Sequence, residues 1–565
     1  MDSKQVVVDL LAPIVGDVFS ADEILDIVEA PNKDENGDWA FPAFKLAKTW
    51  KKNPVEIAKE ITEQVPEHDA IDSVKAVGPY VNFFLNRIEN TNAILHGVLE
   101  AGETYGSKDL GHGRNITLDM SSPNIAKPMS MGHLRSTVIG NSLAKIIAKL
   151  GYNPVRINHL GDWGTQFGKL IVAYRKWGDP EKVRGENAIN ELVKLYVKFH
   201  VEAEKEPELD DEARATFKAL EDGDEEVTAL WKLFREESLN EFNSIYKRLN
   251  VEFDHYTGES FYEDKMQEVI DDLKGDGLLH ENEGAQIVDL DDYNLPPALI
   301  QKSDGATLYI TRDLATAYYR KRTFDFAQSL YIVGSEQAVH FQQLKAVLAK
   351  LGKEWQEDMH HIQFGLITVN GKKLSTRAGK IILLKDVLDE AQRLAQEQID
   401  TKNPDLPNKE QVAQEVGVGA VIFHDLKSER LNNFDFSLEE VVRFEGETGP
   451  YVQYTNARAQ SLLEKAGVDI DLDAIHALDD DFSWRIVKLL NEYPTYVERA
   501  FTTYEPSVIA KYTITLAQAF NKFYGNTRIL DKDDQLNARL ALVKATTIVL
   551  KDGLSLLGVA APDKM

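Results

Sequence analysis

Ser122-Pro123-Asn124-Ile125-Ala126-Lys127-Pro128-Met129-Ser130-Met131-Gly132-His133-Leu134-Arg135-Ser136 is the stretch on which the reading of the fold turns. Just ahead of it, Ile116-Thr117-Leu118-Asp119-Met120 reads as a short strand. Behind it, Leu134, Val138, Leu143, Ile146, Ile147 and Leu150 recur at helical spacing, and Gly151 ends the pattern. Val155-Arg156-Ile157-Asn158 then reads as a second strand. Strand, loop, helix, strand predicts a parallel sheet. A loop that runs into the first turn of a helix meets unpaired backbone N–H groups and the positive end of the helix dipole, which favour anions. Gly132 lets a flat base approach the backbone, and His133 can donate to a phosphate or ribose oxygen. Alone, the stretch is equally compatible with an ordinary loop carrying a surface histidine.

Further strands are expected at Thr307 to Ile310, Leu330 to Val333 and Ile362 to Ile367. They are separated from the first two by a charge-dense, helical stretch from about 180 to 290, read as an insertion. Toward the N-terminus, residues 1–110 read as a small α/β unit. Ser20 is a candidate N-cap for a helix opening at Ala21, Gly78-Pro79 punctuates, and Tyr80-Val81-Asn82-Phe83-Phe84-Leu85 is strand-like. Gly106 through Gly113 looks like a boundary. Residues 111–400 form the sheet-bearing unit and 401–445 a helical connection. Residues 446–565 are expected to be all-helical, with helices over Tyr451 to Lys465, Trp484 to Arg499, Ile509 to Arg528 and Leu536 to Leu557.

A second informative stretch follows the last strand candidate: Asn370-Gly371-Lys372-Lys373-Leu374-Ser375-Thr376-Arg377-Ala378-Gly379-Lys380. Glycines near its two ends and several basic side chains describe a cationic loop suited to a triphosphate whose terminal phosphates leave. A solvated basic hairpin is the plain alternative. Neither stretch has the three spaced glycines of a dinucleotide site, and a Walker loop is absent from the chain. Gly417-Val418-Gly419 lacks a third glycine and reads as helix packing.

Composition narrows the function classes. The 565 residues carry 64 Lys plus Arg against 92 Asp plus Glu, a formal charge of -28. Such a balance argues against a general coat for nucleic acid or anionic membranes and leaves room only for local basic patches. The last 120 or so residues, with 13 basic against 16 acidic side chains, are the least acidic part. There is no cysteine, which removes disulfides, thiolate metal sites and cysteine nucleophiles. His280-Glu281 has no second histidine at helical spacing, so a zinc-protease reading fails too. No apolar run suggests a membrane span or secretory signal, so a cytoplasmic protein without a membrane partner is expected.

Together the two stretches resemble the nucleotide motifs of class I aminoacyl-tRNA synthetases, and the surrounding sequence is similar to the arginyl family. The long form of that family's first motif resembles Ser122 to Pro128 followed by Gly132-His133-Leu134-Arg135-Ser136-Thr137, and its second motif resembles Lys373-Leu374-Ser375-Thr376-Arg377. His159-Leu160-Gly161-Asp162-Trp163-Gly164, Leu308-Tyr309-Ile310-Thr311-Arg312-Asp313, Gly449-Pro450-Tyr451-Val452-Gln453-Tyr454 and Leu556-Leu557-Gly558 extend the likeness over nearly the whole chain. Ser130 and Thr376 depart from the general class I pattern, where a histidine and a lysine stand. The resemblance implies that Lys127 supplies the missing charge.

The resemblance implies an α/β architecture: a Rossmann-like parallel-sheet catalytic domain, an N-terminal tRNA-elbow domain and a helical anticodon-binding domain. It implies a monomeric ligase that activates L-arginine with ATP and Mg2+, without a structural metal, and passes it to the terminal ribose of tRNA. Lys127, Ser130, Gly132, His133, Lys373 and Ser375 would bind ATP, with Lys127, His133 and Lys373 catalytic. Asp119, Asn124, Tyr309, Asp313 and Gln337 would hold arginine, whose five-donor planar guanidinium demands carboxylates and carbonyls. Tyr80, Asn82, Tyr451, Tyr454 and Tyr524 would contact tRNA. A synthetase for another amino acid, or an RNA-binding paralogue with weak or no activity, are the rival readings.

Overall fold

The computed structural model describes residues 3–31, 33–303, 309–369, 372–373, 382–475 and 478–565. In the N-terminal unit, α1 (Ser3–Val15) is followed by α2 (Ala21–Ile27), opened by a reciprocal capping box between Ser20 and Glu23. Strand β1 (Trp39–Pro42), the one-turn α3 (Ala47–Trp50) and α4 (Pro54–Gln64) lead into the hairpin β2 (Ile71–Val77) and β3 (Tyr80–Leu85). Asn53 caps α4 and Pro54 sits in its first turn, where a missing N–H costs nothing. The three strands form an antiparallel sheet in the order β1-β3-β2. Val7, Val8, Leu11, Phe41, Ile57, Ile61 and Phe83 give this unit its own core. Helix α5 (Arg87–Ala101) instead buries Ile94, Leu95 and Val98 in the large core shared with the C-terminal helices.

The central sheet has four parallel strands in the order β10-β9-β4-β5, made by β4 (Asn115–Asp119), β5 (Asn153–Ile157), β9 (Gln328–Gly334) and β10 (Met359–Phe364). Helix α6 (Leu134–Lys149) crosses from β4 to β5 with Leu134, Val138, Leu143, Ile146 and Ile147 all buried, as their spacing predicts. Gly151, at φ +81°, makes the turn after it and packs on Asp109.

After α7 (Thr165–Trp177) the insertion contributes α8 (Ala188–Ala203), α9 (Glu208–Glu221), α10 (Glu225–Arg248) and α11 (Met266–Gly275). It is not purely helical. Strands β6 (Leu279–Asn282), β7 (Ala285–Val288) and β8 (Ala298–Gln301) form a separate antiparallel sheet. Glu283 and Gly284, both at positive φ, make a two-residue hairpin turn between Asn282 and Ala285.

The strand expected over Thr307 to Ile310 is corrected. Thr307 and Leu308 lie outside the described residues, and Tyr309 and Ile310 open helix α12 (Tyr309–Phe324). Its register is set by Ile310, Leu314, Ala317 and Tyr318, buried at helical spacing. The strand expected over Ile362 to Ile367 is split in two. Helix α13 (Ala338–Lys350) precedes β10, which ends at Phe364, and β11 (Ile367–Val369) begins a small sheet with β12 (Lys372–Lys373) and β13 (Phe434–Asp435). Between them a Cβ on Gly365 would lie 2.7 Å from the carbonyl oxygen of Asn432, so the chain turns where only glycine fits.

Helices α14 (Leu384–Lys402) and α15 (Lys409–Lys427) cross at Gly417, whose missing side chain lets the Ala391 backbone approach. The short α16 (Leu438–Val441) leads to α17 (Gly449–Ala466), α18 (Asp481–Thr502), α19 (Ser507–Asn526) and α20 (Leu536–Leu556), matching the four expected C-terminal helices.

Candidate active site

In a parallel sheet, ligands settle at the carboxyl ends of the strands where the chain order switches side. Here β5 lies on one side of β4 and β9 on the other, so the crevice opens beyond Asp119 at the end of β4. The loop leaving it carries Ser121, Ser122 and Ala126 at positive φ, each costing about 1–2 kcal/mol for a non-glycine residue. That strain persists because the surroundings hold it. The Ser121 N–H donates to Ser136 Oγ (2.9 Å), the Ser122 hydroxyl to Asp119 Oδ1 (2.8 Å), and the Ala126 N–H to Ser238 Oγ (2.8 Å). Ser238 and Tyr246, which shares a hydrogen bond with Ser121 Oγ, both stand on α10. The insertion therefore buttresses the loop.

At the start of α6 the Ser130 N–H donates to His133 Nδ1 at 3.1 Å. An accepting Nδ1 leaves the ring proton of neutral His133 on Nε2, and burial holds the imidazole below its ordinary value. Gly132 is exposed, and a Cβ there would meet only the tip of Ser130, at 3.3 Å. Asn124 and Lys127 are exposed on the same loop, and Asn124 bridges to Gly161. Beyond the second motif the chain returns to this loop: Met131 N–H donates to Ile382 O, and Leu384 N–H to Met129 O. Lys373 is paired with Thr368 across β11 and β12, but its side chain, Ser375 and Thr376 lie outside the described residues.

The carboxylates gather on the other wall. Asp119 is buried and paired with Arg320 on α12 at 2.7 Å. Burial pushes its carboxyl up, but the charges of Arg320 and His159, with hydrogen bonds from Arg320 and Ser122, hold it below the usual carboxylate range. Its charge is therefore already matched before any ammonium arrives. Asp313 Oδ2 meets His340 Nε2 at 2.6 Å, both half-buried. Burial lowers the His340 imidazole, and the bond and charge of Asp313 more than reverse that. Arg312 lies between Glu263 (2.7 Å) and Glu259 (3.4 Å). Glu259 is pushed up to about 7, mainly by burial, with Arg312 opposing and the charges of Asp162 and Asp313 adding to it. Tyr309 is 70% exposed at the mouth and Gln337 is exposed before α13.

Sequence reasoning missed Glu259, Glu263, Arg320 and His340. Gly258-Glu259-Ser260 carries no chemistry-bearing spacing, and only the fold brings it to Arg312. Asp162, within the His159 to Gly164 stretch, accepts from Arg235 Nε and from the Ser260 N–H and hydroxyl, which fixes the segment bearing Glu259.

Of the RNA candidates, Asn82 lies in the central strand β3 with 3% exposure, between the core residues Val81 and Phe83 and on the same face as Tyr80. Tyr80 is half-buried and edge-on to exposed Phe44. Tyr451 is half-buried, with its hydroxyl accepting from Asn521 at 3.0 Å. Tyr454 and Tyr524 flank Arg458, whose guanidinium lies 5.0 Å and 4.8 Å from their ring centres. They line an open cleft of 520 Å³ with Lys465 and Lys564 at its edge.

Three family models match the chain. Residues 3–85 match the arginyl tRNA synthetase N terminal domain, 94–438 the tRNA synthetases class I (R) catalytic domain, and 452–565 the DALR anticodon binding domain. The chain is 59% identical to the arginine–tRNA ligase of Latilactobacillus sakei and 60% identical to that of Enterococcus faecalis, with full coverage of both chains in each case. Among solved structures, arginyl-tRNA synthetase from Thermus thermophilus superimposes with a TM-score of 0.82 at 25% identity, each chain covered in full. The enzyme from Plasmodium falciparum, at 23% identity with 100% of this chain and 98% of that one covered, shares the fold with a TM-score of 0.80.

Proposed function

The chain belongs to the arginyl-tRNA synthetases of class I, and from that premise we propose how its own residues divide the ligation of arginine to tRNA. The reaction needs no side-chain nucleophile. The arginine carboxylate attacks the α-phosphorus of ATP, pyrophosphate leaves and arginyl-adenylate forms; a terminal ribose hydroxyl of tRNA then attacks its acyl carbon and AMP leaves. Positioning and charge stabilisation therefore do the catalytic work.

We assign ATP to the start of α6. Gly132 offers open backbone for the base, His133 Nε2–H a donor, and Lys127 a mobile charge for the phosphates, joined by Lys373 and Ser375. Mg2+ is proposed to accompany ATP, where it would supply positive charge toward the leaving pyrophosphate alongside Lys127 and Lys373.

Arginine is assigned to the carboxylate wall, its guanidinium to Asp313 and Glu259 with Tyr309 closing over it. Asn124 and Gln337 are proposed for the α-ammonium and carboxylate end. Asp119, already neutralised by Arg320, is proposed to hold the floor of the pocket and to meet the ammonium with its remaining lone pairs. Tyr80 and Asn82 are proposed for the tRNA elbow, and Tyr451, Tyr454 and Tyr524 for the anticodon side. We propose units at 1–110, 111–400, 401–445 and 446–565, and a monomer working in the cytoplasm.

The observation that carries this reading is the gathering of Asp313, Glu259 and Glu263 at the carboxyl edge of the sheet, with a single Arg312 among them. Arginine-dependent ATP–pyrophosphate exchange, run with and without tRNA, tests it. Asp313→Asn should raise the arginine KM at least tenfold while the ATP KM stays within twofold. Unchanged arginine affinity would move the guanidinium elsewhere.

A further inference from the structure

Arg135 stands two residues beyond His133, on the first turn of α6, and is 1% exposed. Its Nη1 donates to the carbonyl oxygens of Gly365 (2.9 Å) and Asn432 (3.0 Å). Gly365 lies two residues ahead of β11 and Asn432 two ahead of β13; β11 pairs with β13 on one side and, on the other, with β12, which carries Lys373. The plane of the guanidinium is backed by Phe434 and Phe364, at 5.0 and 5.8 Å. Its charge is balanced by Asp425 on α15, but only through Nε at 3.3 Å; Arg135 Nη2 and Asp425 Oδ2 are buried without partners. A guanidinium arranged for its carboxylate would meet it with two parallel bonds. This one is aimed at the two carbonyls instead.

The segments it holds are already close. A Cβ on Gly365 would collide with Asn432 O and Asn433 Oδ1, the Leu366 N–H donates to Asn433 Oδ1 at 2.6 Å, and the Phe434 N–H donates to Leu366 O at 3.2 Å. The root of the hairpin is thus a compact block, and Arg135 is its tie to the helix that opens the first motif.

We propose that Arg135 is a positioning residue that sets the root of the β11–β12 hairpin at a fixed separation from the start of α6 and thereby supports the use of ATP. This rests on the reading of both segments as the ATP site. It makes Arg135 act through the hairpin rather than on the substrate.

Removing Arg135 alone would strand the Asp425 carboxylate in the core, whereas replacing both partners of a buried pair with apolar groups is often neutral. The decisive variant is therefore Arg135→Met with Asp425→Leu. It should melt close to the unaltered enzyme, keep the arginine KM and the tRNA Kd within twofold, and lose at least tenfold in kcat/KM for ATP in pyrophosphate exchange. Arg135→Lys keeps the charge beside Asp425 but offers no planar fork, and should show an intermediate loss with the same selectivity. Unaltered ATP kinetics in either folded variant would overturn the proposal, as would parallel losses in arginine and tRNA binding. Lys373→Ala separates the premise from the inference. If it leaves exchange intact, the hairpin is not part of the ATP site. If it impairs exchange while the Arg135 variants do not, the tie is wrong and the site reading stands.

Discussion

On the proposed reading of the arginine pocket, burial makes Glu259 a pH-dependent contact. Its carboxyl titrates near 7 because burial disfavours the charged form, with Arg312 only partly compensating. An arginine guanidinium needs the carboxylate, so the arginine KM should fall as pH rises from 6 to 8. Protonation of His340, which neutralises Asp313, acts in the same direction at the acid end. Glu259→Gln should remove most of the slope and leave the part due to His340; an unchanged slope would take Glu259 out of the pocket. Stability gives an independent readout. A carboxyl whose folded value is raised contributes stability that is full below its unfolded value near 4.5 and lost as pH rises through about 7. Glu259→Gln should therefore raise the melting temperature more at pH 8 than at pH 5. The stretches that hold His133 and Asp313 stand out in the sequence because local order carries their pattern. Glu259 and His340 do not, since their placement arises only when α12 and α13 are brought against the segment between α10 and α11.

Elements were legible where a long run of buried apolar residues recurs at helical spacing. Helix α6 and the four C-terminal helices follow their apolar spacing almost residue for residue, because each buries a full stripe. The misreadings lie where that signal is short or shared. Tyr309 and Ile310 have strand-like side chains, but the following Leu314 and Ala317 set a helical register that captures them. Strands β6 to β8 are four residues long with little burial on their outer faces, so their best signal is the Glu283-Gly284 turn. Gly417, read as a packing glycine, is one. A Cβ there would lie 2.6 Å from the backbone of Ala391, which yields only if α14 and α15 separate. Gly417→Ala should cost about 1–3 kcal/mol, more than the roughly 1 kcal/mol gained from helix propensity. Gly525, with nothing within 4 Å of its Cβ position, is the control: Gly525→Ala should stabilise slightly. Equal melting shifts for the two would mean that the crossing is not tightly packed.

For the whole molecule, the difficulty is to hold a polyanion with a chain of charge -28. Long-range attraction is not available, so the proposed binding rests on a few close contacts on the N-terminal and helical units. Those units are joined: Asp38 accepts from Trp484 Nε1 at 3.2 Å and from the Leu85 N–H at 3.0 Å, and Arg87 pairs with Asp481 at 2.8 Å. The N-terminal sheet is thus moored to the first turns of α18. At the far end of the helical domain, Tyr524 is 42% exposed and lies over Arg458, whereas Tyr451 spends its hydroxyl on Asn521. Tyr524 is therefore the better stacking platform and Tyr451 has the larger packing role. Stacking is worth about 1–3 kcal/mol per base, so Tyr524→Ala should weaken tRNA binding by roughly ten- to a hundredfold. Its melting temperature and its tRNA-independent kinetics should not change. Tyr451→Ala should lower both tRNA affinity and melting temperature, and Tyr80→Ala should weaken tRNA less than Tyr524→Ala. Because each neutralised phosphate steepens the fall of affinity with salt, a contact set this sparse also predicts a shallow slope. A steep slope with an unaffected Tyr524→Ala variant would mean that tRNA is held by phosphate contacts elsewhere, and the stacking assignment would fall.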